Sequence, residues 1–198
     1  MLKQNLKILN IILIFCFLSD LPAFAQRSKP MNIEDLVKKS EVIIHGIVEK
    51  VESGKDAQSG LLVTYITINV YENFNGAQTG KYTFKQYGGK ADGLVYFPAG
   101  SPRFTENEEV ILMLYPQSTK GMQSPVGMEQ GKFSVVIDNR SGKKFVQNKT
   151  PNPNLFKHLK NPKTVSNKKW LKPVRIEKYD YVEFAETVRK LVSTLKTK

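Results

Sequence analysis

His45 and His158 are the only imidazoles in the 198-residue chain, and more than a hundred positions separate them. A zinc site built on several histidines, such as the HExxH type, is excluded by that count. His45 stands beside Gly46 inside an apolar run, and no carboxylate near it in sequence is placed to orient it. It reads as a packed strand residue rather than a general base. Glu106, Glu108 and Glu109 put three acids ahead of an apolar strand. Calcium asks for more oxygen ligands at a defined spacing, so these acids read as a solvated turn. Gly88-Gly89, with Gly93 behind them, lack the Lys-Ser/Thr and the following helix of a phosphate loop, and read as a tight turn or a backbone crossing. The same stretch carries Tyr87, Tyr96, Phe97, Arg103 and Phe104, which are groups suited to stacking. Tyr87, Gly88, Gly89, Arg103 and Phe104 are therefore the expected rim of a protein- or ligand-binding face.

Charge is the second chemical resource. The formal net charge is +12. No acidic residue lies between Asp138 and Glu177, whereas that interval holds eleven basic ones. Lys157, Lys160, Lys163, Lys168 and Lys169 form its centre and are the expected anion-binding residues. Contacts of that kind weaken steeply with salt, through screening and counterion release. Aromatic residues there are limited to Phe145, Phe156 and Trp170, too few for base stacking along a single strand. The partner expected from composition is an anionic envelope or extracellular polymer, or another exported protein, with nucleic acid disfavoured.

Residues 1–25 have the three parts of an export signal. Lys3 and Lys7 supply positive charge, Ile8 to Leu18 form an apolar stretch broken by Asn10, and Ala23-Phe24-Ala25 put small residues before a cleavage point between Ala25 and Gln26. The apolar stretch is shorter than the ~20 residues a membrane span needs. Phe15 stands where a lipidated cysteine would be preceded by a small residue. Cleavage would remove Cys16, the only cysteine, and with it all disulfide and thiolate chemistry. It would also remove Lys3, Lys7 and Asp20, leaving +11, which equals the contribution of the basic interval alone. The delivered protein would lie in the periplasm or the medium, with no membrane span, no cofactor and no enzymatic constellation.

The elements that must carry these residues follow from hydrophobic period and turn chemistry. Asn32 is a plausible cap for a helix over Ile33–Lys39, with Glu34 and Asp35 in its first turn. The period then changes to two. Strands are expected over Val42–Val51, with Gly46 as a bulge or bend, over Leu62–Val70 and over Tyr82–Tyr87. Val110–Tyr115 reads as a buried strand, and Phe133–Ile137 and Lys144–Val146 as a hairpin around Asp138 to Gly142. Residues 148–178 are rich in Asn, Pro and Lys and read as a connecting segment. Asp180-x-x-Glu183 opens a terminal amphipathic helix whose apolar residues run from Tyr181 to Leu195. The expected fold is mainly β: residues 26–147 as an OB-like barrel of five to six strands, and residues 179–198 as a helix packed on it.

The block Ile33 to Val146 resembles small bacterial exported domains without an assigned activity. The likeness rests on Glu34-Asp35-Leu36-Val37, Glu41 to Val48, Val70-Tyr71-Glu72, Gly88-Gly89, Pro98 to Phe104, Asn107 to Val110 and Gly127 to Phe133. More distantly, the order of elements resembles the OB-type barrel of netrin and tissue-inhibitor-of-metalloproteinase modules. The distant likeness implies an OB-type barrel and points to the modulation of a protease through its loops. Those inhibitors chelate the protease zinc through an N-terminal cysteine, which this chain would lack after cleavage. Two functions result: an exported non-enzymatic binding domain that adheres to anions through its basic segment, and a protease inhibitor or accessory module acting through loops 88–104.

Overall fold

The structure is a computed structural model that describes residues 29–160 and 178–196. The export signal, its cleavage point at Ala25 and Gln26, and Lys163, Lys168 and Lys169 lie outside the described residues. Among those described, no helix is long and apolar enough to cross a membrane.

Helix α1 spans Ile33–Lys39, and the Asn32 side chain accepts from the Asp35 amide, as the capping residue should. Strands β1 (Val42–Lys55) and β2 (Leu62–Asn75) pair antiparallel over their whole length. β1 outruns the apolar pattern at Glu52 to Lys55, which pair with Tyr65 to Leu62, and β2 outruns it at Tyr71 to Asn75, which reach back along His45 to Ile43. β3 spans Gly80–Tyr87, and β4 (Gly89–Ala91) and β5 (Leu94–Tyr96) make a separate small hairpin. β6 (Glu109–Leu114) pairs with β1, followed by β7 (Lys132–Ile137), β8 (Lys144–Gln147) and β9 (Lys178–Asp180). Helix α2, Tyr181–Lys196, ends the described chain.

The main sheet is seven-stranded and antiparallel, in the order β3-β2-β1-β6-β7-β8-β9. The mainly β class holds, but no ladder closes the sheet into the barrel expected from the sequence. β7, β8 and β9 continue it beyond β6, and β9 is too short for a period to announce it. At the other end, residues 122–126 reach from β6 to β3 through single bridges. Leu114 pairs with Pro125, Lys85 pairs with Met122, and the Gln123 amide donates to the Lys85 carbonyl.

β6 is apolar on both faces and separates two cores. Val110, Leu112 and Leu114 join Ile44, Ile66, Ile68 and Phe84 on one side. Ile111 and Met113 join Ile43, Phe133 and the helices on the other. In α2, Phe184, Val188 and Leu191 are fully buried, with the Phe184 ring 4.9 Å from that of Phe133. The Asp180 carboxylate accepts from the Glu183 amide, so the helix start read from sequence is capped as expected.

Residues 148–160, read from sequence as part of a connecting segment, pack against α1. The Asn148 amide donates to the carbonyls of Glu129, Gln130 and Lys132, and the Ile33 amide donates to the Leu155 carbonyl. Leu155 is buried, and the Phe156 ring meets that of Tyr179 at 5.0 Å.

Candidate functional site

The glycine-rich stretch after β3 builds a projecting hairpin on a fixed base. Gly88 has φ +97, and a Cβ on Gly89 would lie 2.3 Å from the Val63 carbonyl oxygen, so only glycine permits this backbone crossing. The Gly88 amide donates to the Leu62 carbonyl at 2.9 Å, and its own carbonyl accepts from the Thr64 hydroxyl at 2.7 Å. Beyond it, Asp92 and Gly93 form the two-residue turn between β4 and β5, both with positive φ, which matches the twist of the paired strands. The outer strand is open to solvent: Leu94 is 65% exposed, Val95 64% and Tyr96 48%. Tyr87 stacks beside Tyr96, ring centroids 5.3 Å apart, and extends the patch.

Of the five rim residues expected from sequence, four belong to this structure and one turns away. Tyr87 is on the surface, Gly88 and Gly89 form the crossing, and the Arg103 guanidinium lies 3.1 Å above the Phe97 ring. Phe104 instead packs on the β1–β2–β3 core, 5.6 Å from the Phe84 ring, with the Lys132 ammonium 4.7 Å above it. It supports the loop rather than lining its surface.

The three acids diverge to separate partners. Glu106 accepts from the Val51 amide. Glu108 accepts from the Lys132 ammonium at 2.7 Å and the Ser134 hydroxyl at 2.6 Å. Glu109 meets His45. The sequence reading placed them in one solvated turn, but Glu108 and Glu109 are strand-edge ion-pair residues.

His45 is where the sequence was least informative. It is 5% exposed, and both ring nitrogens are engaged: Nε2 with a Glu109 carboxylate oxygen at 2.8 Å and Nδ1 with the Tyr181 hydroxyl at 3.0 Å. Lys144 donates to both Glu109 oxygens, at 2.8 and 2.9 Å, and Tyr71 sets its ring edge-on to His45 at 5.6 Å. Burial alone would raise the Glu109 carboxyl, but the hydrogen bonds from Lys144 and His45 outweigh it and hold it below the ordinary range. Burial, followed by the charges of Glu72 and Glu109, pushes the Tyr181 phenol up. Glu72 is bound by the two-pronged Arg189 guanidinium at 2.6 and 2.9 Å. The cluster joins β1, β2, β6, β8 and the first turn of α2. Its geometry is that of a polar lock on the helix.

Of the anion-binding lysines, Lys157 and Lys160 are described. Both are exposed, and neither forms a side-chain ion pair among the described residues. The segment that carries them is tied down by its backbone: the Asn32 amide donates to the Lys157 and His158 carbonyls, and the Lys160 amide donates to the Glu34 carboxylate. No family model, no curated protein and no solved structure matches the chain.

Proposed function

We propose that the chain is an exported binding module without catalytic activity of its own, and that the β4–β5 hairpin is its recognition element. The observation that carries this reading is the exposure of Leu94, Val95 and Tyr96, adjacent on one short strand, above a base that two glycines and Thr64 hold fixed. Single exposed apolar residues are ordinary, but three in succession, uncovered on both faces of one strand with a rigid mount, mark an interaction surface. Arg103 and Lys90 flank it, and the basic interval gives the molecule its net charge, so the partner is acidic. The OB-like reading of the fold belongs to the same proposal, supported by the single bridges through which residues 122–126 join β6 to β3. Export is supported by the three-part pattern of residues 1–25.

The test is a photo-crosslinking residue at Val95 in the producing cell. A discrete adduct, lost when Leu94 and Tyr96 become Ser, is expected; if that adduct is a protease, the module is an inhibitor or accessory subunit. Absence of any adduct from Val95 overturns the reading.

A second reading, adhesion to anionic envelope polymer through the lysines alone, is favoured by the exposure of Lys157 and Lys160, whose side chains form no ion pair among the described residues. It expects retention on a sulfated-polysaccharide matrix that falls with salt and with Lys157, Lys160, Lys163, Lys168 and Lys169 all changed to Gln. Retention indifferent to both rejects it.

A further inference from the structure

We propose that the cleft between the extended segment Lys29–Met31 and the Tyr115–Met128 region binds a small amphipathic anion, a monocarboxylate with an apolar tail. The cleft measures about 500 Å³ and is lined by Met31, Tyr115 and Met128 on its apolar walls, with Ser124 among them. That volume lies within the range of small-ligand sites. Methionine side chains are unbranched and polarizable, and adapt to a flexible tail better than branched residues do.

Two features make this a built site rather than a surface irregularity. Gly127 and Met128 are consecutive residues with φ of +62, and a methionine pays steric strain in that region. The strained backbone carries Met128, which lines the cleft and is 36% exposed. Gly127 is required by its left-handed φ, and a Cβ there would also have to displace the Met31 methyl, 2.3 Å away. Second, the Gln130 side chain clamps the opposite wall. Its carbonyl accepts from the Met31 amide at 2.7 Å, and its amide donates to the Lys29 carbonyl at 3.1 Å. The wall that Lys29–Met31 forms is therefore held in place.

Charge chooses the ligand class. Lys29 and Lys39 stand on the rim with one acid, Asp35, so the mouth carries an excess positive charge beside the Ser124 and Tyr115 hydroxyls. An anionic head at the mouth and an apolar tail between the methionines satisfy both halves. The site lies away from the β4–β5 hairpin and stands or falls independently of it.

The experiment uses the purified full chain with 13C-methyl-labelled methionine, titrated with decanoate. Met31 and Met128 line the cleft, whereas Met113 is buried in the core and Met122 sits at the bridge to β3. Saturable shifts of the Met31 and Met128 signals are expected, with Met113 and Met122 unmoved. Lys39→Glu should weaken binding roughly three- to fivefold, the size of one partly solvated charge contact. Ser124→Phe, which adds bulk from the cleft wall and leaves Gly127 untouched, should abolish the shifts. Decyltrimethylammonium, with the same tail and the opposite charge, should bind more weakly than decanoate. The proposal is overturned if Met31 and Met128 stay unmoved at millimolar decanoate, if the cation binds as well as the anion, or if a folded Ser124→Phe variant binds unchanged.

Discussion

The His45 cluster and the β4–β5 hairpin are opposite solutions to the placement of unusual side chains. The cluster gathers His45, Glu109, Lys144 and Tyr181 from four separate elements and joins them to one another by hydrogen bonds. The hairpin takes a run of adjacent residues and leaves their apolar surface uncovered. A buried polar group must find partners inside the molecule, so its bonding capacity is spent there. An exposed apolar strand on a rigid base has no internal partner, so its capacity is still free. Titratable residues held close together in the His45 cluster are thus a lock, and the surface left uncovered at the hairpin is apolar and aromatic. Three variants probe that contrast, graded by their effect on folding stability.

Gly46 should be the most sensitive position. The β1–β2 register shifts between His45 and Gly46, and a Cβ at Gly46 would lie 2.3 Å from the Asn69 carbonyl oxygen and 2.8 Å from an Ile68 methyl. The neighbours are backbone and a core side chain, so neither can move cheaply. Gly46→Ala is expected to lose about 3 kcal/mol in urea unfolding and to displace His45 from Glu109. A variant as stable as the parent would show that the bulge does not hold the lock.

Glu109→Gln should cost less, about 2 kcal/mol near neutral pH, because the amide is isosteric yet cannot neutralise Lys144. The pH dependence has a definite sign. The folded Glu109 carboxyl lies below its ordinary value, so its contribution is complete above about 4.3, the ordinary glutamate value, and is lost as pH falls through the lowered folded value. The parent should lose stability on acidification through that window, and the Gln variant should lose less. Asp56 is lowered as well, by the Ser59 hydroxyl first and then Lys85, so the variant should still show some acid loss. Parallel acid titrations of the two proteins would mean that Glu109 does not hold the cluster together.

The contrast also explains what could be read from the chain alone. Gly46 as a bulge, the Asn32 and Asp180 caps and the Asp138 turn were legible because each follows from a residue's own backbone preference within a few positions. The partners of His45 lie 64 and 136 positions away, and which acid meets it depends on the β1–β6 register, His45↔Ile111 beside Ile47↔Glu109, fixed only by the whole sheet. The two apolar faces of β1 were visible in Ile43-Ile44, and the structure sends one to each core. The closed barrel was not a safe step from strand count, since β7 and β8 continue the open sheet beyond β6 and the pairing beyond β8 depends on three residues, Lys178 to Asp180, without a readable period. The hairpin itself carried a signal that the apolar pattern overshadowed: Asp92-Gly93 between two short segments.

The smallest effect on folding is expected at the hairpin, and it separates the two regions most sharply. Leu94→Ser with Val95→Ser removes apolar groups that already face water, so unfolding should shift by no more than about 0.5 kcal/mol. Gly88, Gly89 and the Asp92-Gly93 turn are unchanged, so the hairpin keeps its base and its register. Unfolding in urea measures this directly. A loss of several kcal/mol would mean that Leu94 and Val95 support the fold, and their exposure would then be no mark of a partner. An unchanged midpoint here, together with loss of the adduct formed through position 95 when Leu94 and Tyr96 become Ser, would locate recognition on a surface that the rest of the molecule does not need in order to fold.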